Sequence, residues 1–367
     1  MNFDVFKFGE LFEFLQKSKF QASEGKNFGQ YKFFTSSAIQ KKWIDTATFD
    51  ARALVFGTGG AASVHYVDDK FSTSTDCIVA NVRENSAVSL KYVWHYLMAN
   101  IDILERGFKG AGLKHISKKY IEDIKIPIPN IAEQKRIALI LDKASEIKAK
   151  REQAIAKLND LINNTFTQFF EINKRYEYRK LSDVCELITD GTHYTPSYAD
   201  DGVIFLSAKN VTSGRIDWEN IKHIPNSLHL ELQKRVSPRR GDVLLAKNGT
   251  TGVAAIVDKD IIFDIYVSLA LLRPGSNLLP GFLHAALNST ITKRQFNKAL
   301  KGIGVPNLHL IDIRKTTIPF PTIGEQKEFI NVIRSINACR DLNLNYLHEN
   351  TNLINSLQSQ LFDKRLN

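Results

Sequence analysis

The chain has 367 residues, 43% of them hydrophobic and 24% charged, enough for two or three domains that each bury a core. Its 49 Lys and Arg against 39 Asp and Glu leave a formal charge of +10, a balance whose commonest partner is a polyanion, usually nucleic acid. Cys77, Cys185 and Cys339 are too far apart for a CxxC metal site or a disulfide framework and fit a reducing cytoplasm, while no run approaches the roughly 18 apolar residues of a membrane span and MNFDVFKFGELF lacks a signal-peptide pattern.

Taken in order, KFGELFEF (7 to 14) is a segment that recurs later in the chain, and ALVFGTGGAASVHYV and DCIVANV are apolar, β-branched runs broken by Gly and Thr, which read as strands with tight turns. LKYVWHYLMAN (90 to 100) reads as a short helix. GFKGAGLKH lacks the Lys-Ser/Thr end of a phosphate loop. IPIPNIAEQKRI (126 to 137) then opens a stretch whose apolar positions recur in steps of three and four: Ile137, Ile140, Ala144, Ile147, Leu158 and Leu161, widened by Leu141, Ile155, Ile162 and Phe169. Asn130 is its N-cap and Glu133 falls at the third helical position, the pattern of a capping box. A helix of about forty residues, roughly 60 Å long, follows.

The order is then written again. KLSDVCEL (180 to 187) resembles KFGELFEF, GDVLLAKNGTTGVAAIV and YVSLALL give strands and turns, GFLHAALNS (281 to 289) a short helix, and IPFPTIGEQKEF (318 to 329) a second capped start with Thr322 and Glu325. The two PxP-EQK stretches share an offset of 192, as do Lys109 with Lys301 and LINNTFTQFF with LINSLQSQLF. Phe329, Val332, Ile336, Cys339, Tyr346, Leu353 and Leu357 repeat the stripe. The expected fold is α+β: a mixed α/β globule over 1–129, a central helix over 130–173, a second globule over 174–321 and a distal helix over 322–367. Two helices of equal length with one stripe each suit an antiparallel coiled coil and a tandem pseudo-twofold repeat. Packing of each helix on its own globule is the alternative.

No phosphate loop, GxGxxG, HExxH or GxSxG occurs, and the nine histidines show no ligand spacing, so neither catalytic nor metal residues are assigned. Glu133-Gln134-Lys135 and Glu325-Gln326-Lys327 match the ExK half of a Mg-dependent nuclease site, with Asp123 and Asp312 upstream, but the cap position explains both glutamates more simply. DNA contacts are expected from Gly/Ser/Thr loops flanked by basic residues, which press amides and hydroxyls onto phosphates and leave long side chains for base edges. The candidates in the first globule are Ser36, Ser37, Thr58, Gly60, Ser63, His65, Lys70, Ser72, Thr73, Lys109 and Lys114. In the second they are Thr192, His193, Tyr194, Lys209, Asn210, Lys247, Asn248, Thr250, Lys259, Lys301 and Asn307.

The doubled IPIPNIAEQK and IPFPTIGEQK, the two glycine-loop units and the DGTHYTP and FLSAKNV segments together give a chain that resembles the specificity (S) subunit of type I restriction-modification enzymes. The resemblance spans nearly the whole sequence. It implies target-recognition domains that each read one half of a bipartite, asymmetric site in double-stranded DNA, with the helices as a ruler between them. It implies no catalysis by this chain. Two methyltransferase (M) subunits carrying S-adenosylmethionine, and two motor-nuclease (R) subunits using ATP and Mg, are the implied partners, with Gln134, Lys135, Gln326 and Lys327 as the exposed docking residues. A stand-alone DNA-binding protein is the competing reading; it needs no EQK doubling.

Overall fold

The computed structural model describes residues 4–112, 114–170, 172, 176–249, 251–300 and 306–362. It divides into two compact units, 1–153 with 344–367, and 154–343. The central helix, Ile131–Phe170, begins in the first unit and ends in the second, and the distal helix, Ile323–Phe362, begins in the second and ends in the first. Each is 40 residues without a break.

In the first unit β1 (Asp4–Lys7) pairs antiparallel with β11 (Lys125–Ile128), closing the globule where the PxP stretch leaves it. Between them a four-stranded antiparallel sheet runs β2 (Phe12–Phe14), β8 (Cys77–Val82), β5 (Ala53–Gly57), β6 (Ser63–Val67). A three-stranded sheet of β4 (Lys42–Ile44), β3 (Tyr31–Phe34) and β7 (Phe71–Thr73) covers one face. Strand alternation splits β5 between two cores. Leu54 and Phe56 join the helix Leu90–Ala99 and the start of the central helix through Ile137 and Leu141, whereas Ala53 and Val55 meet Phe34, Phe49 and Phe71. Buried on both faces, the strand needs no polar alternation, which is why ALVFG is apolar throughout. The distal helix ends in the first of these cores: the Phe362 ring stands edge-on to Tyr92 and Tyr96 at 5.9 and 5.5 Å.

The second unit repeats the closing pair and the four- and three-stranded sheets. β12 (Tyr178–Lys180) pairs with β20 (Thr317–Pro319). The larger sheet orders β13 (Cys185–Asp190), β19 (Leu269–Pro274), β16 (Val243–Ala246), β17 (Ala254–Ile256), and the smaller β15 (Lys222–Ile224), β14 (Val203–Leu206), β18 (Phe263–Ile265). Val243 and Leu245 face the core that holds Phe166, Phe170, Phe282 and Phe329, and Leu244 and Ala246 face the other. Four phenylalanines thus bring the end of the central helix against the start of the distal one, with Phe170 and Phe329 centroids 5.0 Å apart.

Most of the expected stripe is sheltered, with 137, 140, 141, 144, 155, 158, 162 and 169 on the central helix and 329, 336 and 357 on the distal one; Ile147, Leu161, Val332, Cys339, Tyr346 and Leu353 are exposed, with the following residue sheltered in each case. Each helix is anchored at its start. Gln134 and Gln326, expected at the surface, are fully buried. Gln134 Nε2 donates to the carbonyls of Pro129 (2.8 Å) and Ala87 (3.2 Å), and its Oε1 accepts from the Ser89 amide at 2.7 Å. Gln326 repeats this with Pro321 and Asn277 (both 3.0 Å) and the Leu279 amide at 2.8 Å. Ser89 and Leu279 are the N-cap residues of the helices Leu90–Ala99 and Pro280–Asn288. One primary amide therefore satisfies three main-chain groups that would otherwise be buried without partners. Gln134 stands three and seven residues before Ile137 and Leu141, and Gln326 three and seven before Phe329 and Ile333, on the buried side of the helix.

Gln134→Ala and Gln326→Ala should each lower the stability of their own unit by about 2–4 kcal/mol, because three main-chain groups lose their partner at once. Gln134→Glu should behave similarly, since a carboxylate would face two carbonyls. Denaturant unfolding followed separately for the two units checks this; a midpoint no lower than that of Lys135→Ala, an exposed neighbour, overturns it.

Candidate nucleic-acid interface

In the first unit the β5–β6 hairpin turns at residues 58–62, with Gly60 at φ +77°, a left-handed conformation natural to glycine. Ser36 Oγ donates to the Asp76 carbonyl (2.7 Å) and accepts the Gly59 amide (3.2 Å), and Thr58 Oγ1 donates to the same carbonyl at 2.9 Å. His65 Nε2 lies 2.8 Å from the Ser37 carbonyl, its ring beside Phe34. Burial pushes the His65 imidazole down from its ordinary range, against the pull of that bond, so it donates from Nε2 as a neutral ring and offers no charge to phosphate. Gly59 bridges to His115, which pairs with Lys109 across β9 (Phe108–Lys109) and β10 (His115–Ile116). Ser36, Ser37, Thr58, Gly60, His65, Lys109 and Lys114 thus share one end of the unit, with both lysines exposed.

Other candidates are placed differently. The Ser63 and Thr73 hydroxyls are buried without a hydrogen-bond partner among the described residues, and Ser72 Oγ donates to the Thr46 carbonyl (2.6 Å) and accepts the Thr48 amide (2.8 Å). These three are interior residues, not surface ones as the loop pattern suggested. Lys70 is exposed and pairs with Asp50 at 3.0 Å, at the opposite end of the hairpin from Gly60.

The second unit uses the same turn with other chemistry. Gly249 has φ +78°, Asn248 bridges to Asn307, and the Leu308 amide donates to the Lys247 carbonyl at 2.8 Å. Lys247 itself is turned inward. Its Nζ lies 3.1 Å from Asp190, and both side chains are less than a tenth exposed. Thr192 and Asn210 are buried too: Asn210 Oδ1 accepts the Ser207 amide and Nδ2 donates to the Asn220 carbonyl, both at 2.9 Å, a clasp on its own loop. The sequence expectation that Lys247 and Asn210 face a ligand is corrected accordingly. His193, Tyr194 and Lys209 are exposed, Tyr194 at 85%, and Tyr194 with Thr192 lines a cavity of about 530 Å³. Lys259 lies over the Trp218 ring at 5.5 Å, beyond the far end of the β16–β17 hairpin. Thr250 and Lys301 lie outside the described residues.

Asp76, His115, Asp190 and Arg235 join the two loop ends although the pattern reading assigned them nothing. Their signal was faint: Asp190 opens DGTHYTP, and Arg235 sits in the basic run KRVSPRR. The ExK glutamates are committed to helix starts. Glu325 accepts the Thr322 amide at 2.9 Å and the Tyr176 hydroxyl at 3.0 Å, and Glu133 holds Arg136 at 2.7 Å. Asp123 pairs with Lys7 at 3.0 Å. Lys135 and Lys327 remain on the surface.

The sequence profile of the family described as "Type I restriction modification DNA specificity domain" matches residues 1–159 and 173–348. The chain belongs to that family. Among curated relatives it is 26% identical over 277 residues to the "Type I restriction enzyme MjaVIII specificity subunit" of Methanocaldococcus jannaschii, covering 69% of this chain and 65% of the relative. It is 23% identical to the "Type I restriction enzyme EcoBI specificity subunit" of Escherichia coli, covering 68% and 59%. The chain thus spans less than two thirds of the length of both. The crystal structure of a "Type-I restriction-modification system S subunit from M. genitalium" superposes with a TM-score of 0.67 at 16% identity, over 98% of this chain and 96% of that one, a likeness of fold. No described helix of this family member is long and apolar enough to cross a membrane.

Lys247→Ala should act on folding before binding. Removing one partner of a buried ion pair costs on the order of 3 kcal/mol, somewhat less here because Arg235 stays on Asp190. Denaturant unfolding of the second unit reads the loss; an unchanged midpoint with weakened DNA binding would return Lys247 to the phosphate-contacting role.

Proposed function

We propose that the chain is the non-catalytic, cytoplasmic DNA-recognition subunit of a type I restriction-modification complex, each unit reading one half of a bipartite, asymmetric site. The observation that carries this is the pair of loop ends: the same glycine turn on the same four-stranded sheet, ringed by Ser36, Ser37, His65 and Lys109 in one unit and by Asp190, His193 and Arg235 in the other. Like frameworks with unlike side chains suit two different half-sites. The helices form an antiparallel coiled coil that spaces the units. In support, Arg151 lies over the Tyr346 ring at 4.5 Å within the first unit, and Phe166 meets Phe329 and Asn159 meets Arg340 within the second, later residues of one helix against earlier ones of the other.

Two methyltransferase subunits, holding S-adenosylmethionine, dock on this frame near Lys135 and Lys327, and two R subunits using ATP and Mg complete the restriction form. Gln134 and Gln326 contribute by setting the helix starts from inside. The glycine turns and exposed lysines favour DNA recognition over a nuclease role for Glu133 and Glu325, both held in the helix starts.

Exchanging residues 1–129 for those of another family member should change one half of the methylated site and leave the other half intact, read by single-molecule sequencing of DNA modified by the reconstituted complex. Change in both halves would refute the modular reading. Lys109→Ala should weaken binding to all sequences and lower the log–log salt slope by about one; an unaltered slope would remove Lys109 from the backbone contacts.

A further inference from the structure

At the loop end of the second unit one buried carboxylate holds an arginine, a lysine and a histidine. Asp190, 3% exposed, takes Nη2 of Arg235 at 2.8 Å, Nζ of Lys247 at 3.1 Å and Nε2 of His193 at 3.4 Å. Exposure separates them: the Lys247 side chain is 7% exposed, those of Arg235 and His193 50% and 60%. Lys247 therefore neutralises Asp190 from within, and Arg235 is held at the surface by one contact. That bond uses one of five guanidinium donors, and Asp190 is the only side-chain partner of Arg235 among the described residues.

Asp190 ends β13, and Lys247 directly follows β16 beside the Asn248–Gly249 turn, so the carboxylate is fixed by the sheet and aims Arg235 at the end where the candidate loops gather. A planar fork tethered to a rigid carboxylate loses little freedom on binding, and its remaining donors match the O6 and N7 acceptors of guanine in the major groove. The equivalent stretch of the first unit, Leu15–Gln16–Lys17, holds no carboxylate, so that unit has no such tether. We propose that Arg235, positioned by Asp190, reads a guanine in the half-site of the second unit. The inference rests on the DNA-recognition reading above and names the base that one residue selects.

The test uses the complex with its methyltransferase subunits and sequences the methylated motif for the native chain, Arg235→Lys and Arg235→Ala. Arg235→Lys keeps the charge and loses the fork. It should relax discrimination at a single G·C pair of the second half-site by roughly 10- to 100-fold, with the first half and the gap unchanged; Arg235→Ala should do the same with weaker binding overall. A second half-site without a G·C pair overturns the inference, as does a motif unaltered in both variants, or a uniform loss at all sequences in Arg235→Lys with native thermal unfolding. If the native complex methylates no bipartite motif, the recognition reading itself fails and takes this inference with it.

Discussion

The arrangement depends on an amide side chain in the first turn of each long helix. Each globule must hand its chain to a helix forty residues long, and any looseness at that junction is multiplied along the lever. Gln134 and Gln326 remove it by joining three main-chain segments: the PxP strand end, the loop before a short helix, and that helix's N-cap residue. Glutamine suits the task because one planar group carries a double donor and an acceptor, and it can be buried because all are answered. The capped glutamates beside them set where the helices begin; the glutamines set the direction in which they leave.

This rigidity gives the loop ends their value. The four-stranded sheets are apolar on both faces, so their strand ends are fixed by packing, and the glycine turns carry the variable chemistry. In the first unit the turn is held by hydroxyls on a single carbonyl, that of Asp76, and by a neutral His65. In the second it stands beside the buried Asp190 with its cations. A charged residue can sit in such a place only where its partner is built in, and the partner then decides which side chain remains for the surface. The same sheet thus presents hydroxyls and lysines in one unit and a tethered guanidinium in the other.

Much of the frame was legible in the residues. The repeated order of strands and helices, both forty-residue helices and the cap roles of Asn130 and Thr322 follow from local pattern, and the Asn130 side-chain Oδ1 does accept the Glu133 amide at 2.9 Å. The site was legible in part. Ser36, Thr58, His65 and Lys109 gather at one end of the first unit, whereas Ser72, Thr73, Asn210 and Lys247 turn inward. Hydroxyl, amide and lysine look alike in a sequence whether they meet solvent or a partner fifty residues away. Gln134 and Gln326 had a usable signal, since both stand on the buried stripe; reading polar as exposed hid it.

The sequence by itself determined what is local and periodic: two copies of one framework, the helix starts, and left-handed turns at glycine. Tertiary structure alone decided the partners of polar side chains, hence that the EQK glutamine is an internal clamp, that Lys247 neutralises Asp190, and that Arg235 stays half exposed on the same carboxylate. The physical reason is range. Backbone dihedrals and amphipathic periods are set within a few residues, but Gln134 and Asp190 each need a partner 45 positions away along the chain, brought close only when the unit folds.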